Sequence, residues 1–430
     1  MAEELINLSA REAARRIAEG RLSAEALVAA LLDRIALRES AVEAWEYLDR
    51  GKALEAARRR DREPRRGALH GVPIAVKDLI DTSDMPTAYG SPIYRGHRPV
   101  ADASCVALAR EAGAIVLGKT VTTEFATFFP GKTKNPHNPG HTPGGSSSGS
   151  AAAVADCEVP LAFGTQTAGS VIRPAAFCGC VGFKPTFGVL GRAGVKPLSE
   201  TLDTIGVMAR QVEDAAFFVG VLSGRGALVD LRAPPRSPHF ALYKTPYSEA
   251  AERTTEEALE AAAEALGRAG ARVGELALAP EHRGLNEAQN RIMGYEIFRS
   301  LAYERIEKGG FLSPRLKEML EAGAAVTAAE YDAALAEAAA ARSGLGRFFG
   351  DLDAVLVPAA PGEAPLGLEG TGDPVFSRMW TLLGVPCVTL PACRGESGLP
   401  TGVQLVGRIG EDARLLSSAL FLERALAEAS

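Results

Sequence analysis

The sequence predicts an α/β fold with a large mixed, mostly parallel sheet covered by helices on both faces. Three features predict it. Short β-rich runs, "GVPIAVKDLI" at 71–80 and "GAIVLGKTVT" at 113–122, alternate with helical stretches such as "SCVALAREAG" at 104–113. The runs are almost continuously apolar, as strands buried on both faces require. A chain of 430 residues with 47% hydrophobic content can also bury a large core.

The elements follow in order. Ser9 with Glu12 forms a capping-box start for one helix, and Ser23 can cap a second through "AEALVAALLDRIALRE", so residues 1–66 read as a helical hairpin. Residues 68–235 hold the first strands and the chemistry, ending at a seam marked by "AFFVGVLSGR" and the Pro-rich "APPRSPHF" at 233–240. Residues 247–345 are rich in Ala and Glu and read as a helical layer or lid. Strand signals return in "LDAVLVPAA", "VPCVTLPA" and "GVQLVG", before a final helix over "DARLLSSALFLERALAEA". Residues 346–430 then complete the earlier sheet, so the whole chain reads as one domain.

Composition excludes several functions. A net charge of -6 with both signs interspersed argues against nucleic acid or an anionic membrane as partner. The one basic block, "RRRDREPRR" at 58–66, is interrupted by acids and reads as a solvated face. The opening residues lack the apolar run of a signal peptide, and no stretch reaches the length of a membrane span, so the cytoplasm is expected. The six cysteines are sparse and show no CxxC pair, which fits buried free thiols. His137 and His141 have helical metal-ligand spacing, but the "NPG" between them forbids the helix, so neither metal nor cofactor is expected. Oligomeric state is left open, with a homodimer as one alternative.

"GAIVLGKT" at 113–120 satisfies the phosphate-loop pattern GxxxxGK[ST]. That motif needs a flexible loop between its glycines, whereas "AIVL" is itself the strand. A nucleotide-binding protein using this loop is therefore the disfavoured reading, and Lys119 reads as structural.

The chemistry starts at "GGSSSGS", 144–150. Such composition usually marks a linker. A linker keeps polar company, yet "AAAVA" follows, small and apolar as if tightly packed. Beyond it, Thr165–Ser170 forms a turn between two apolar segments, able to point backbone N–H groups inward beside Ser170. A serine nucleophile needs a proton acceptor and no histidine stands near in a plausible pattern, so a lysine is the alternative base. Lys77, at the end of a buried strand, is the candidate, since desolvation lowers its pKa toward the neutral form. Taken alone, Lys77 reads as an ion-pair partner of Asp78, Ser146 and Ser170 as turn serines, and Ser147, Ser148 and Ser150 as groups satisfying backbone.

Together the three segments resemble the amidase signature family, serine hydrolases that cleave carboxamides with a Ser, cis-Ser, Lys triad. "GVPIAVKD" is similar to the family's lysine strand, "NPHNPGHTPGGSSSGSAAAVA" to its Gly/Ser segment and "GTQTAGSVIRPAAFCG" to its nucleophile turn. "GFKPTFG", "LDTIGVMAR", "GVPCVTLPA" and "GLPTGVQLVG" extend the resemblance over most of 68–220 and about 350–426. It implies Ser170 as nucleophile, Ser146 as the serine after a cis peptide from Gly145, and Lys77 as base. It further implies an oxyanion hole from the amides of Thr167, Ala168, Gly169 and Ser170, and a small-molecule amide as substrate. The amidase subunit of a tRNA-dependent amidotransferase, which delivers ammonia to a partner, is the alternative within the family. Three residues depart from the family pattern: Gln166 stands where Asp is common, Ala168 replaces a glycine, and Arg173 sits one place late. Ala168 is expected to avoid positive φ.

Overall fold

The computed structural model describes residues 2–234 and 237–429. Its eleven strands are β1 (Trp45–Leu48), β2 (Pro73–Lys77), β3 (Ile115–Thr120), β4 (Leu161–Gln166), β5 (Val181–Lys184), β6 (Thr204–Ala209), β7 (His239–Tyr243), β8 (Arg272–Leu276), β9 (Ala354–Pro358), β10 (Cys387–Arg394) and β11 (Pro400–Val406). They form one sheet in the order β1-β3-β2-β4-β6-β5-β10-β11-β9-β7-β8. The late strands β9, β10 and β11 thus lie inside the sheet, between β5 and β7.

The sheet is mixed, but it is not mostly parallel. Only β2–β3, β2–β4, β7–β8 and β7–β9 are parallel. The other neighbours run antiparallel. The cause is local connectivity: β10 and β11 are joined by a turn at 395–399, and β6 enters between β4 and β5. Strands that return through short turns run antiparallel, and full burial on both faces hides this from the hydrophobic pattern.

Alternation along each strand divides the core. Ile74 and Val76 of β2, Val116 of β3 and Phe163 of β4 join a cluster with Phe218 and Leu415, from the helices Val212–Ser223 and Asp412–Ala429. Ala75, Ile115, Leu117 and Ala162 face the other way, toward the helices Ala24–Val42 and Ser148–Ala155. Farther along the sheet, Ala241, Val355 and Val357 pack on Leu285–Ser300 and Ala328–Phe349.

Ser9 and Ser23 cap their helices as expected, accepting the N–H groups of Glu12 and Ala26 at 3.1 Å each. Glu12 does not close the capping box; its carboxylate turns to Arg15 and Arg16. Between Val42 and the helix Arg50–Arg62 the chain adds β1, too short at four residues to show a period. The helical layer likewise contains β8, a largely exposed strand whose "RVGEL" reads as polar. In the Pro-rich seam, Pro235 and Arg236 lie outside the described residues.

The phosphate-loop look-alike is accounted for by packing. β3 runs through Gly118, Lys119 and Thr120, so their amides belong to a strand. Gly118 admits β1: a Cβ there would stand 2.3 Å from the Tyr47 carbonyl oxygen. Lys119 is fully buried, with Nζ 3.1 Å from Asp78 Oδ1, 2.8 Å from Ile80 O and 2.6 Å from Thr87 Oγ1. Removing one partner of a buried pair leaves an uncompensated charge and costs about 3–5 kcal/mol. Lys119→Met is accordingly expected to lower unfolding free energy by that amount in denaturant titration, and Asp78→Asn in the same chain to restore much of it. An unmoved midpoint in the single variant would show the pair to be dispensable.

Candidate active site

Lys77 ends β2, a strand in which every residue is buried. Its amine has no carboxylate within ion-pair distance among the described residues; instead Nζ lies 2.7 Å from Ser146 Oγ and 2.7 Å from Thr165 Oγ1. Burial holds the amine well below the ordinary lysine value of 10.5, and the charge of Asp203 only partly opposes this. Desolvation penalises the ammonium and leaves a basic amine facing two hydroxyls. The expected rival role, an ion pair with Asp78, is taken by Lys119.

Ser146 arrives on the Gly/Ser segment, which is buried from Thr142 to Val154. The Gly145–Ser146 peptide is cis. The segment is no linker: it turns directly into the helix Ser148–Ala155, which lies against the β3 exit so closely that a Cβ on Gly149 would stand 2.2 Å from Ala44 O. Its remaining hydroxyls satisfy backbone, as read from the sequence. Ser147 Oγ bridges to Thr165, Ser148 Oγ donates to Val121 O at 3.3 Å, and Ser150 Oγ donates to Phe163 O at 2.8 Å.

Ser170 sits in the turn between β4 and the helix Ile172–Cys178, 8% exposed. The Ser147 N–H donates to its carbonyl oxygen at 3.4 Å, so the turn and the Gly/Ser segment are in backbone contact. Among the described residues the amides of Thr167, Ala168, Gly169 and Ser170 make no hydrogen bond with the protein, whereas those of Val171 and Ile172 are both accepted by Gln166 Oε1, at 2.9 and 3.1 Å. Four consecutive free N–H groups beside a serine are what an oxyanion needs. Ala168 keeps negative φ, as expected.

The departures from the family pattern have structural roles. Gln166 ties down the helix start with its carbonyl, while its amide donates to Thr381 Oγ1 at 3.0 Å. No ion pair is needed to hold the turn. Arg173 is buried and reaches back across the Gly/Ser segment, donating from Nη2 to Gly145 O at 2.7 Å.

Sequence reasoning did not single out Thr165, the second partner of Lys77, or Asp203. Asp203 Oδ1 accepts from Thr167 Oγ1 at 2.6 Å, and Oδ2 accepts the amides of Leu198 and Ser199, fixing the first residue of the turn. Both stand within quoted motifs, "GTQTAGS" and "LDTIGVMAR", where a polar residue against a buried strand end is the only signal. Among the described residues no group of three or more His, Cys, Asp or Glu side chains is placed to hold a metal, and no helix is long and apolar enough to cross a membrane.

Comparison with known proteins agrees with this site. A family profile described as Amidase matches residues 26–416. A glutamyl-tRNA(Gln) amidotransferase subunit of Anaeromyxobacter sp. (strain K) is 33% identical, across 99% of this chain and 97% of that protein. A solved structure described as an amidase superposes with a TM-score of 0.88 at 33% identity, covering 97% of this chain and 99% of that one. The peptide amidase of Stenotrophomonas maltophilia gives a TM-score of 0.82 at 30% identity, over 98% and 97% of the two chains. The chain belongs to the amidase signature family, hydrolases that act on amide C–N bonds.

Proposed function

We propose that this protein hydrolyses the C–N bond of a small carboxamide through an acyl-enzyme on Ser170, with Ser146 and Lys77 as the proton relay. The observation that carries the reading is the contact between the buried, depressed-pKa amine of Lys77 and Ser146, on a segment whose backbone touches Ser170. Ser170 Oγ attacks the carbonyl carbon as its proton passes to Ser146 Oγ, whose own proton passes to Lys77 Nζ. The amides of Thr167 to Ser170 take the charge on the carbonyl oxygen. Collapse of the tetrahedral species breaks the C–N bond, and the relay returns the proton to the leaving nitrogen. Water then attacks the ester by the same route in reverse, releasing the carboxylate and restoring the serine. All six cysteines are free and four are buried, which suits the reducing cytoplasm assigned to it.

A second reading has one observation in its favour. The curated relatives named as glutamyl-tRNA(Gln) amidotransferase subunits match nearly the whole chain at about a third identity. In that reading the ammonia passes to a partner protein. The two separate on whether the purified chain alone releases ammonia from simple amides.

Ser170→Ala is expected to reduce turnover by roughly 10⁴-fold or more without lowering the thermal midpoint; a parallel loss of both would make the serine structural. Lys77→Met should lower kcat by orders of magnitude, and a near-wild-type rate would remove the lysine from the mechanism. The base must be neutral to accept a proton, so kcat/KM is expected to fall as pH drops through the lowered pKa of Lys77. That acid limb should lie well below 10.5 and be absent from the residual activity of Lys77→Met; a limb at the ordinary lysine value would contradict a desolvated base.

A further inference from the structure

Arg173 is 1% exposed, and its guanidinium donates to three oxygens: Thr371 O at 2.7 Å, Gly145 O at 2.7 Å and Thr371 Oγ1 at 3.1 Å. None of the three is charged. Among the described residues no carboxylate comes within 4.0 Å of it, and its Nη1 has no hydrogen-bond partner at all. That atom is directed at the turn: a Cβ on Gly169 would stand 3.3 Å from it. Burying a guanidinium without a counter-charge costs several kcal/mol, and a vacant buried donor adds to the cost. Burial brings its pKa down to about 9, so it is still a cation at neutral pH.

A second guanidinium faces the same turn. Arg378, half-buried, donates from Nη1 to Gln289 Oε1 at 2.9 Å and Asn290 Oδ1 at 2.6 Å. Gln289 Nε2 in turn donates to Thr167 O at 3.0 Å, so Arg378 is tied to the first residue of the turn through one side chain. Like Arg173 it has no ion pair among the described residues, and the two cations are near enough for Arg378 to disfavour the charge on Arg173. The acids that act on them, Asp373 on both and Glu287 on Arg378, do so from beyond ion-pair distance. Two positive groups therefore converge beside Gly169 and Ser170, and the protein supplies no anion between them. The arrangement is complementary to a planar anion brought in by the ligand.

We infer that the amide substrate carries a carboxylate, received by Arg173 Nη1 and Arg378 while its carboxamide lies against Ser170. The inference rests on the hydrolase reading above and adds the substrate class to it. The test compares kcat/KM for ammonia release from malonamate, succinamate and glutaramate with the neutral diamides of the same lengths. The best acid is expected to exceed its diamide by on the order of 100-fold, because a diamide leaves the guanidinium unpaired. Since Arg173 also holds the Gly145 carbonyl, Arg378 is the residue to vary, and Arg378→Gln is expected to cut the acid-to-diamide ratio by roughly tenfold or more, chiefly through KM. Equal rates on acids and diamides would overturn the carboxylate assignment and leave the amidase reading standing. Failure of every amide, together with no labelling of Ser170 by a phosphonate probe, would overturn the amidase reading itself. An arm independent of turnover is calorimetric titration of Ser170→Ala protein with succinate. Binding that weakens when Arg378→Gln is added supports the cationic subsite; no binding, or binding indifferent to that change, overturns it.

Discussion

A lysine amine buried at the end of β2 with hydroxyls, and no carboxylate, for neighbours is the constraint on which the site depends. In water the ammonium of Lys77 would be stable by several pH units; in the core its hydration is gone and only the distant charge of Asp203 favours it. The amine can then serve as a base at ordinary pH without a histidine. The surroundings follow from this. Ser146 and Thr165 must present oxygens to Nζ at hydrogen-bond distance, so the Gly/Ser segment has to pass within reach of the strand end, and it does so by packing its small residues against the β3 exit.

A few residues away Lys119 meets the opposite fate. It ends the neighbouring strand, is equally buried, and keeps Asp78 at 3.1 Å. The difference between a structural lysine and a basic one therefore lies in the carboxylate, not in burial. Asp78 directly follows Lys77 in the chain, yet alternation along an extended backbone sends consecutive side chains to opposite faces. The adjacent acid thus neutralises the lysine of the next strand and leaves its own neighbour unpaired.

Much of this was legible in the sequence because it is local. Strand ends, turn glycines and a serine between apolar runs are decided by nearest neighbours, and the positions of Lys77, Ser146 and Ser170 could be read from them. The strands that escaped were those whose pairing is supplied from elsewhere. β1 has four residues and exists because Gly118 lets it approach β3; β8 is polar and exposed and exists because β7 offers it an edge. Strand direction was misjudged for the same reason, since a buried strand shows equal hydrophobicity whichever way it runs. Within the site, Asp203, Gln289, Thr371 and Arg378 come from distant segments. Each is an ordinary polar residue in its own sequence context, and only the fold gives it a partner.

The departures from the family pattern then form one arrangement rather than three unrelated changes. A carboxylate at 166 would cap Val171 and Ile172 equally well, but it would place a negative charge in the first turn of the helix that carries Arg173. Gln166 performs the capping as a neutral group and satisfies its second polar atom on Thr381. Arg173, one place later along the helix, points about 100° away from the preceding position, and from there it spans Gly145, Thr371 and the Gly169 turn. Removing the internal acid and turning the cation toward the turn have the same electrostatic consequence: the positive charge beside Ser170 remains unneutralised until a ligand arrives. Neither change alone would do so, because an Asp at 166 would counter the guanidinium, and a Gln without the arginine would leave the turn neutral.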